Sequence, residues 1–316
     1  MKLGRIVKPA SPKFYDFVAC GENSLDTIGV GPGLLPAAGK HRLHSLVELP
    51  GGQAATAAIA CARLGWRTRY VGTIGDDPAG QIVRSRLDAD GVDAQLTVRH
   101  AVSTRRAIVI VDDATGERTV LERRDARLDF RPGEVPAEIF STARVVLVDG
   151  SDIEQSIRAA EAARLEGVRT LLDLDHHSDR AHQLMALIDV IVLPEPVVSP
   201  LAGVPGLGRA LEVIGVESGA GAVVATLGPR GALGWCRAGE VRSPPQDASV
   251  VDSTGAGDAF RAGFAAAWLG AAGTDPDLEA LLAGANLVAA LSCRTVGAQE
   301  GLPQRWEVPG GLRGGV

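Results

Sequence analysis

The sequence predicts an α/β fold in three layers, with a central, mostly parallel β-sheet covered by helices on both faces. Short β-rich runs alternate with helical segments for most of the 316 residues, the pattern of a parallel sheet built from strand–helix repeats. Apolar residues make up 46% of the chain, ample for a sizeable core. No stretch of linker composition divides the chain, so one domain spanning residues 1–316 is expected.

The expected strands are Phe17 to Cys20, Arg69 to Ile74, Val145 to Val148, Thr170 to Leu174, Val190 to Leu193 and Ala222 to Leu227. Helix-like composition and periodicity fall between them, at Gln53 to Leu64, Gly80 to Asp90, Glu154 to Glu166, Arg180 to Leu187 and Leu207 to Ser218. Ala256 to Leu269 and Leu278 to Thr295 complete the helices. Two stretches break the alternation. One is Thr27 to Pro50. The other is His100 to Leu121, where Arg105 to Val111 and Arg118 to Leu121 flank Asp112-Asp113-Ala114-Thr115-Gly116 as a hairpin. The tail from Pro309 to Val316 is Gly-rich and expected to be loose.

Bulk charge narrows the function. A net charge of −6 gives no general attraction to nucleic acid or anionic membrane, so an anionic ligand must be held by local cations and backbone N–H groups. Cys20, Cys61, Cys236 and Cys293 are scattered without CxxC spacing and read as reduced core thiols. The N-terminus lacks the apolar core of a secretory signal, and the longest charge-free helical stretch, Ala262 to Thr274, is too short to span a bilayer. A soluble, cytoplasmic protein with neither a nucleic-acid nor a membrane partner is expected.

The most informative segment is Val250-Val251-Asp252-Ser253-Thr254-Gly255-Ala256-Gly257-Asp258-Ala259-Phe260. A short strand runs through two glycines into an Ala-rich helix with a carboxylate in its first turn. Glycines let a backbone approach a ligand closely, and the unpaired N–H groups of a helix start cradle anionic oxygens. Gly255, Ala256 and Gly257 supply those donors, and Asp258 stands where a hydroxyl would lose a proton on attacking phosphorus. The competing reading is an aspartate that merely caps a helix.

This run resembles the C-terminal motif of the ribokinase-like sugar kinases, the phosphofructokinase B group, in which the last aspartate is the catalytic base. A second element supports the resemblance: Gly51-Gly52-Gln53-Ala54-Ala55-Thr56-Ala57-Ala58, followed by Ala62-Arg63-Leu64-Gly65 and Val71-Gly72-Thr73-Ile74-Gly75-Asp76-Asp77, is similar to the group's Gly-Gly sugar motif and its next strand. The resemblance implies a ribokinase-like fold with a small β-sheet lid formed by the insertions at about 27–50 and 100–121, often used for dimer contacts. It implies ATP-dependent phosphorylation of a primary hydroxyl on a small sugar. Asp258 would be the base and the turn from Gly255 to Gly257 the anion hole.

Carried over residue by residue, the sugar side would combine Asp26 with Gly52, Gln53 and Thr56, where many relatives have Asn in place of Thr56. The nucleotide side would use Thr226, Gly228 and Gly231 in Ala225-Thr226-Leu227-Gly228-Pro229-Arg230-Gly231-Ala232, together with Asn286, for which the alternative is an exposed helical Asn. Arg294 to Gly301, including Gly297, resembles the segment that closes the adenine pocket and a monovalent-cation site, implying K+. For Mg2+ the candidates are Asp252, Thr254 and Glu195. Here the chain departs from pattern, because Leu193-Pro194-Glu195-Pro196-Val197-Val198 replaces the usual Asn-x-x-Glu. Lys40 falls on a cation position of the sulfofructose kinase branch, and Gly116-Glu117-Arg118 is shared with it, whereas Glu122 would repel a sulfonate. Ketohexokinase-like enzymes share the Gly-x-Arg-Thr pattern as well. Acidic and neutral sugars therefore both stay open.

Other classes fit less well. Gly21-Glu22-Asn23-Ser24 is not the Gly-x-Gly-x-x-Gly turn of a dinucleotide site, and Gly39-Lys40-His41 lacks the remainder of a P-loop. Asp173-Leu174-Asp175-His176-His177-Ser178-Asp179 reads as a loop at the carboxyl edge of the sheet, near phosphates, rather than a transition-metal site. A nucleoside kinase of the same group and a non-catalytic sugar or nucleotide sensor are the alternatives.

Overall fold

The structure, a computed structural model, describes residues 12–32, 40–176, 178–271 and 277–315. The chain opens with β1 (Tyr15–Cys20), β2 (Ser24–Gly31) and β3 (Ser45–Gly51), then α1 (Gln53–Arg63), β4 (Thr68–Gly75), α2 (Pro78–Ala89) and β5 (Asp93–Arg99). A hairpin of β6 (Arg106–Asp112) and β7 (Arg118–Arg123) follows. Next come α3 (Glu138–Ser141), β8 (Ala143–Val148), α4 (Ile153–Leu165), β9 (Arg169–Asp173), α5 (Ala181–Met185) and β10 (Val190–Pro194). The remaining elements are α6 (Glu195–Ala202), α7 (Leu207–Ser218), β11 (Ala222–Thr226), β12 (Ala232–Cys236), β13 (Gly239–Ser243), α8 (Ala256–Gly270) and α9 (Leu278–Ser292).

Nine strands form one sheet in the order β13-β12-β11-β10-β9-β8-β1-β4-β5, and β3-β2-β6-β7 form a second, four-stranded sheet. In the large sheet every pairing from β11 to β5 is parallel, and only β12 and β13 run antiparallel at one edge. Alternation along the central strands explains the three layers. Phe17, Ala19, Val145 and Leu147 point into a core with α1, α2, α8 and α9. Their neighbours Val18, Cys20, Val146 and Val148 point into the opposite core, with α3 to α7. Both faces are buried, so the strands read as apolar runs.

The expected strands and helices appear with ends shifted by a few residues, except the short strand expected at Val250 and Val251, where the chain reaches α8 as an irregular segment. The small sheet is broader than the two irregular stretches suggest, beginning at Ser24 and ending at Arg123. Elements not expected are β5, β12, β13, α3 and α6. Edge strand β5 carries the polar–apolar alternation of a half-buried strand and was legible in the sequence, whereas β12 to β13 is interrupted by glycines, which weakens a strand pattern. Pro196 and Pro200 hide α6. Pro196 sits in the first turn, where no N–H bond is lost, and the helix ends at Gly203 in a left-handed conformation soon after Pro200. All four cysteines are buried free thiols. No single helix among the described residues is long and apolar enough to cross a membrane.

The order of strands locates the working edge. From β1 the chain steps to β4 and β5 on one side, then returns to β8 on the other. A crevice opens outside the carboxyl ends of strands at such a reversal. The loop leaving β1 lies there, held by the buried Tyr70 of β4. Its hydroxyl donates to the Gly21 carbonyl (2.7 Å) and accepts from Asn23 Nδ2 (2.8 Å). Tyr70→Phe removes both bonds and strands buried polar atoms, so a melt should show a loss of about 1–3 kcal/mol of stability.

Candidate active site

Helix α8, like α1 at Gly52, begins at a glycine without the side-chain cap that several other helices carry. Helices α2, α4 and α9 start at Asp77, Asp152 and Asp277, whose carboxylates accept from the first-turn N–H groups. At the head of α8 stands Gly255, left-handed at φ 76° and with no side-chain cap. No Cβ fits there, since it would lie 2.7 Å from the Ala298 backbone. Ala256 N–H donates to the Ser253 carbonyl (3.1 Å). Gly255, Gly257 and Asp258 are the N–H groups that meet no acceptor among the described residues. The sequence-based donor set thus shifts by one residue, from Ala256 to Asp258. These donors lie at the positive end of the helix dipole, an arrangement chemically suited to an anion.

Asp258 is half-buried in the first turn of α8. Burial raises its carboxyl to about 7, with Arg261 and Arg118 pulling it down and Asp175 and Asp149 pushing it further up. Arg118 comes from the small sheet. Its Nη1 donates to Ser253 Oγ (2.9 Å), which in turn donates to the Gly116 carbonyl (2.9 Å), so the hairpin tip rests on the loop leading into α8.

The acceptor side gathers around Arg105. This guanidinium faces Glu22 Oε1 (3.1 Å), Asp26 Oδ1 (3.8 Å) and Glu122, and Arg124 adds a second contact to Glu22 (3.4 Å). Asp26 is 6% exposed, with no hydrogen bond to Oδ1, and burial raises its carboxyl. Gly51 leaves room for it, because a Cβ there would stand 2.3 Å from Asp26 Oδ2. Gly52 adopts φ 93°, and its Cβ would strike the Asn23 backbone at 2.3 Å. Gln53 opens α1 and donates from Nε2 to Asp173 Oδ1 (3.3 Å). Glu22 N–H donates to Asp149 Oδ2 (2.6 Å), and burial lifts the Glu22 side chain to about 8 despite both arginines.

Several other expected site residues sit elsewhere. Thr56 is fully buried and accepts from Gln299 Nε2 (3.3 Å), because α1 packs its first turns inside the core. Lys40 is exposed and forms no ion pair among the described residues. Asn286 is buried, not an exposed helical Asn. Its Nδ2 braces the chain after β13 through Ser243 Oγ (3.0 Å) and the Pro244 carbonyl (2.9 Å). Thr226 ends β11 beside Gly228 and Gly231, at φ 57° and 82°, and space around Gly228 is open.

The residues proposed for Mg2+ do not form a cage. Asp252 is fully buried, with Oδ1 accepting from the N–H and Oγ1 of Thr254 (2.8 and 2.7 Å) and Oδ2 from Gly297 N–H (2.8 Å). Its oxygens tie two loops together. Glu195 is paired with Arg230. No group of three or more metal-binding side chains occurs among the described residues. The donor set does not fit a protein-held divalent ion.

A family model, pfkB family carbohydrate kinase, matches residues 16–305. The chain belongs to the pfkB family of carbohydrate kinases. It is 29% identical over 280 residues to a fructokinase of Klebsiella pneumoniae, covering 82% of this chain and 91% of that one. It is 30% identical over 269 residues to an ATP-dependent ribose-1-phosphate kinase of Halopiger xanaduensis, covering 84% and 88%. The fold matches a solved Arabidopsis thaliana ribokinase complexed with ribose and ATP, at TM-score 0.76 and 23% identity over 95% of this chain and 99% of that one. The protein is therefore an ATP-dependent sugar or nucleoside kinase with a ribokinase-like fold.

Sequence reading of this pfkB kinase overlooked Asp149 and Arg261, and placed Asp173 only in a loop near phosphates. A signal existed for each: Asp149 directly follows β8 and Asp173 ends β9, at the edge where ligands bind in parallel sheets, while Arg261 lies three residues after Asp258 on one helical face. Glu22 supplies a test of the edge's electrostatics. Its folded value lies above the unfolded one, so its contribution to stability is complete below about pH 4.5 and lost as pH rises through about 8. Glu22→Gln should melt like wild type at pH 5 and at higher temperature than wild type at pH 8.5.

Proposed function

We propose that this pfkB kinase transfers the terminal phosphoryl group of ATP to a primary hydroxyl of a small neutral sugar. The observation that carries the reading is the uncapped head of α8, where free N–H donors and a carboxyl that titrates near neutrality share one turn. Asp258 removes the hydroxyl proton as the oxygen attacks phosphorus, the bond to the bridging oxygen breaks, and ADP leaves with the displaced electrons. Gly255 and Gly257 N–H groups stabilise the charge spread over the transferring oxygens. Asp26 and Gln53 orient the acceptor, and Arg118 closes the site from the hairpin. Thr226, Gly228 and Gly231 border the nucleotide. Mg2+ accompanying ATP would be held by its phosphates and by water rather than by the carboxylates of this chain, and would supply charge neutralisation on the phosphates.

The charges around Arg105 favour a neutral over an acidic acceptor, although Lys40 is exposed and forms no ion pair among the described residues. Arg105 already faces three carboxylates, and Arg124 is paired to Asp129 (2.6 Å) as well as Glu22. An added sulfonate, carboxylate or phosphate would find no uncommitted cation in this group. Nucleosides are disfavoured because β2, β3, β6 and β7 carry no aromatic side chain for stacking on a base.

Asp258→Asn should keep ATP binding and the melting temperature while lowering kcat at least 1000-fold in a coupled ADP-release assay. In the wild type, kcat/KM should fall tenfold per pH unit below about 7, where the base is protonated. Turnover should be higher on fructose and ribose than on their phosphorylated or carboxylated counterparts, and preference for an anionic sugar would overturn the neutral assignment.

The outer face of the small sheet exposes Leu46, Ile108 and Leu121 at 64%, 51% and 62%, an apolar strip suited to a second copy of the chain. Light scattering should give a dimer for the wild type and a monomer for Ile108→Asp/Leu121→Asp.

A further inference from the structure

Beneath the first turn of α8 lies an ion pair that the proposed chemistry does not use. Arg261 Nη2 forms an ion pair with Asp173 Oδ1 (2.7 Å) and donates to the Val192 carbonyl (3.2 Å). The two side chains are 4% and 1% exposed. A charge pair so deep loses more hydration than its attraction returns when compared with apolar side chains of the same size, so stability alone does not account for it. It is also imperfectly satisfied: Asp173 Oδ2 and Arg261 Nε have no partner among the described residues.

Its location suggests a purpose. Arg261 lies one turn beyond Asp258 on the same face of α8. Its guanidinium folds back against the first turn, so that a Cβ on Gly257 would stand 2.6 Å from Nη1. From the opposite side, Asp173 Oδ1 accepts from Gln53 at the head of α1 (3.3 Å). A continuous polar path thus runs from the acceptor-side helix through Gln53, Asp173 and Arg261 to the turn that carries Asp258.

We propose that Arg261, fixed by Asp173, is a positioning residue for Asp258: it holds the carboxylate charged and in register with the acceptor-side helix. The inference rests on Asp258 being the base. The charged groups acting on Asp258 are Arg261 on its own helix, Arg118 from β7, Asp173 and Asp175 at the end of β9, and Asp149 after β8. Arg261 is the strongest attraction among them; Asp173 anchors that cation and, because burial pushes its carboxyl well above the usual carboxylate range, offsets the charge only where it is ionised.

The two members of the pair should then act in opposite directions. The readout is the acid limb of kcat/KM for the acceptor, measured on the full chain with fructose or whichever sugar the panel selects. Arg261→Met should move the limb to higher pH by about one unit, and Asp173→Asn, which leaves the cation unneutralised, to lower pH. Arg261→Lys, keeping the charge, should restore the wild-type limb. A purely structural pair would lower the melting temperature without separating the limbs. Limbs that coincide with wild type, or that move together, would overturn the inference. If Arg261→Met does not fold, the direction of the Asp173→Asn shift decides. Asp258→Asn, run alongside, separates the two ideas: substantial turnover in that variant sinks the base itself, whereas an inactive Asp258→Asn with unmoved limbs sinks only the positioning role.

Discussion

Carboxylates crowd one edge of this molecule, and the arginines threaded among them are the constraint on which the rest depends. Glu22, Asp26, Asp149, Asp173, Asp175 and Asp258 all lie at or beyond the carboxyl ends of parallel strands or at the mouth of α8. Left alone they would repel one another and take up protons. Arg105 and Arg261 divide them into an acceptor group and a transfer group. Burial sets the baseline and the arginines set the differences, so neighbouring acids of similar chemistry acquire different protonation behaviour.

The scaffold supplies this arrangement with simple means. A parallel sheet sends every strand out at the same edge, so side chains from β1, β8 and β9 converge although they are far apart in sequence. Helix α8 meets them with its dipole and uncapped N–H groups. Behind the site, Asp252 joins the loop before α8 to Gly297, and Gln299, two residues on, reaches Gly51 and Thr56. Acceptor-side and phosphate-side backbones are therefore braced through a shared rear support.

Much of this was legible in the sequence, for reasons particular residues make plain. The uncapped start of α8 was legible because Gly255 and Gly257 precede an Ala-rich helix, a local pattern that left two readings, an anion cradle or a capping aspartate. Asp26 and the Gly51-Gly52 pair could be placed by resemblance to known kinases. What escaped was of two kinds. Thr56, Asn286 and Asp252 are near the site, but their polar atoms are consumed by loops distant in sequence, and no local pattern reveals which partner a buried side chain will find. Asp173 and Arg261 meet only because β9 and α8 pack across the layer boundary, although they are 88 positions apart. Of the extra strands, β12 and β13 were masked by glycines at a sheet edge, whereas β5 shows the alternation of a half-buried strand and was open to reading.

The missing side chains at Gly51 and Gly52 have a consequence for how such an enzyme can diversify. Any substituent at either position collides with Asp26 or with the Asn23 backbone, so this half of the pocket is frozen by volume rather than by chemistry. The hairpin strand bearing Glu122 is solvent-facing along its whole length and meets no comparable steric limit. Lineages descending from this architecture could therefore acquire new tastes in substrate by editing β7, leaving the glycine pair and the phosphoryl-transfer apparatus untouched.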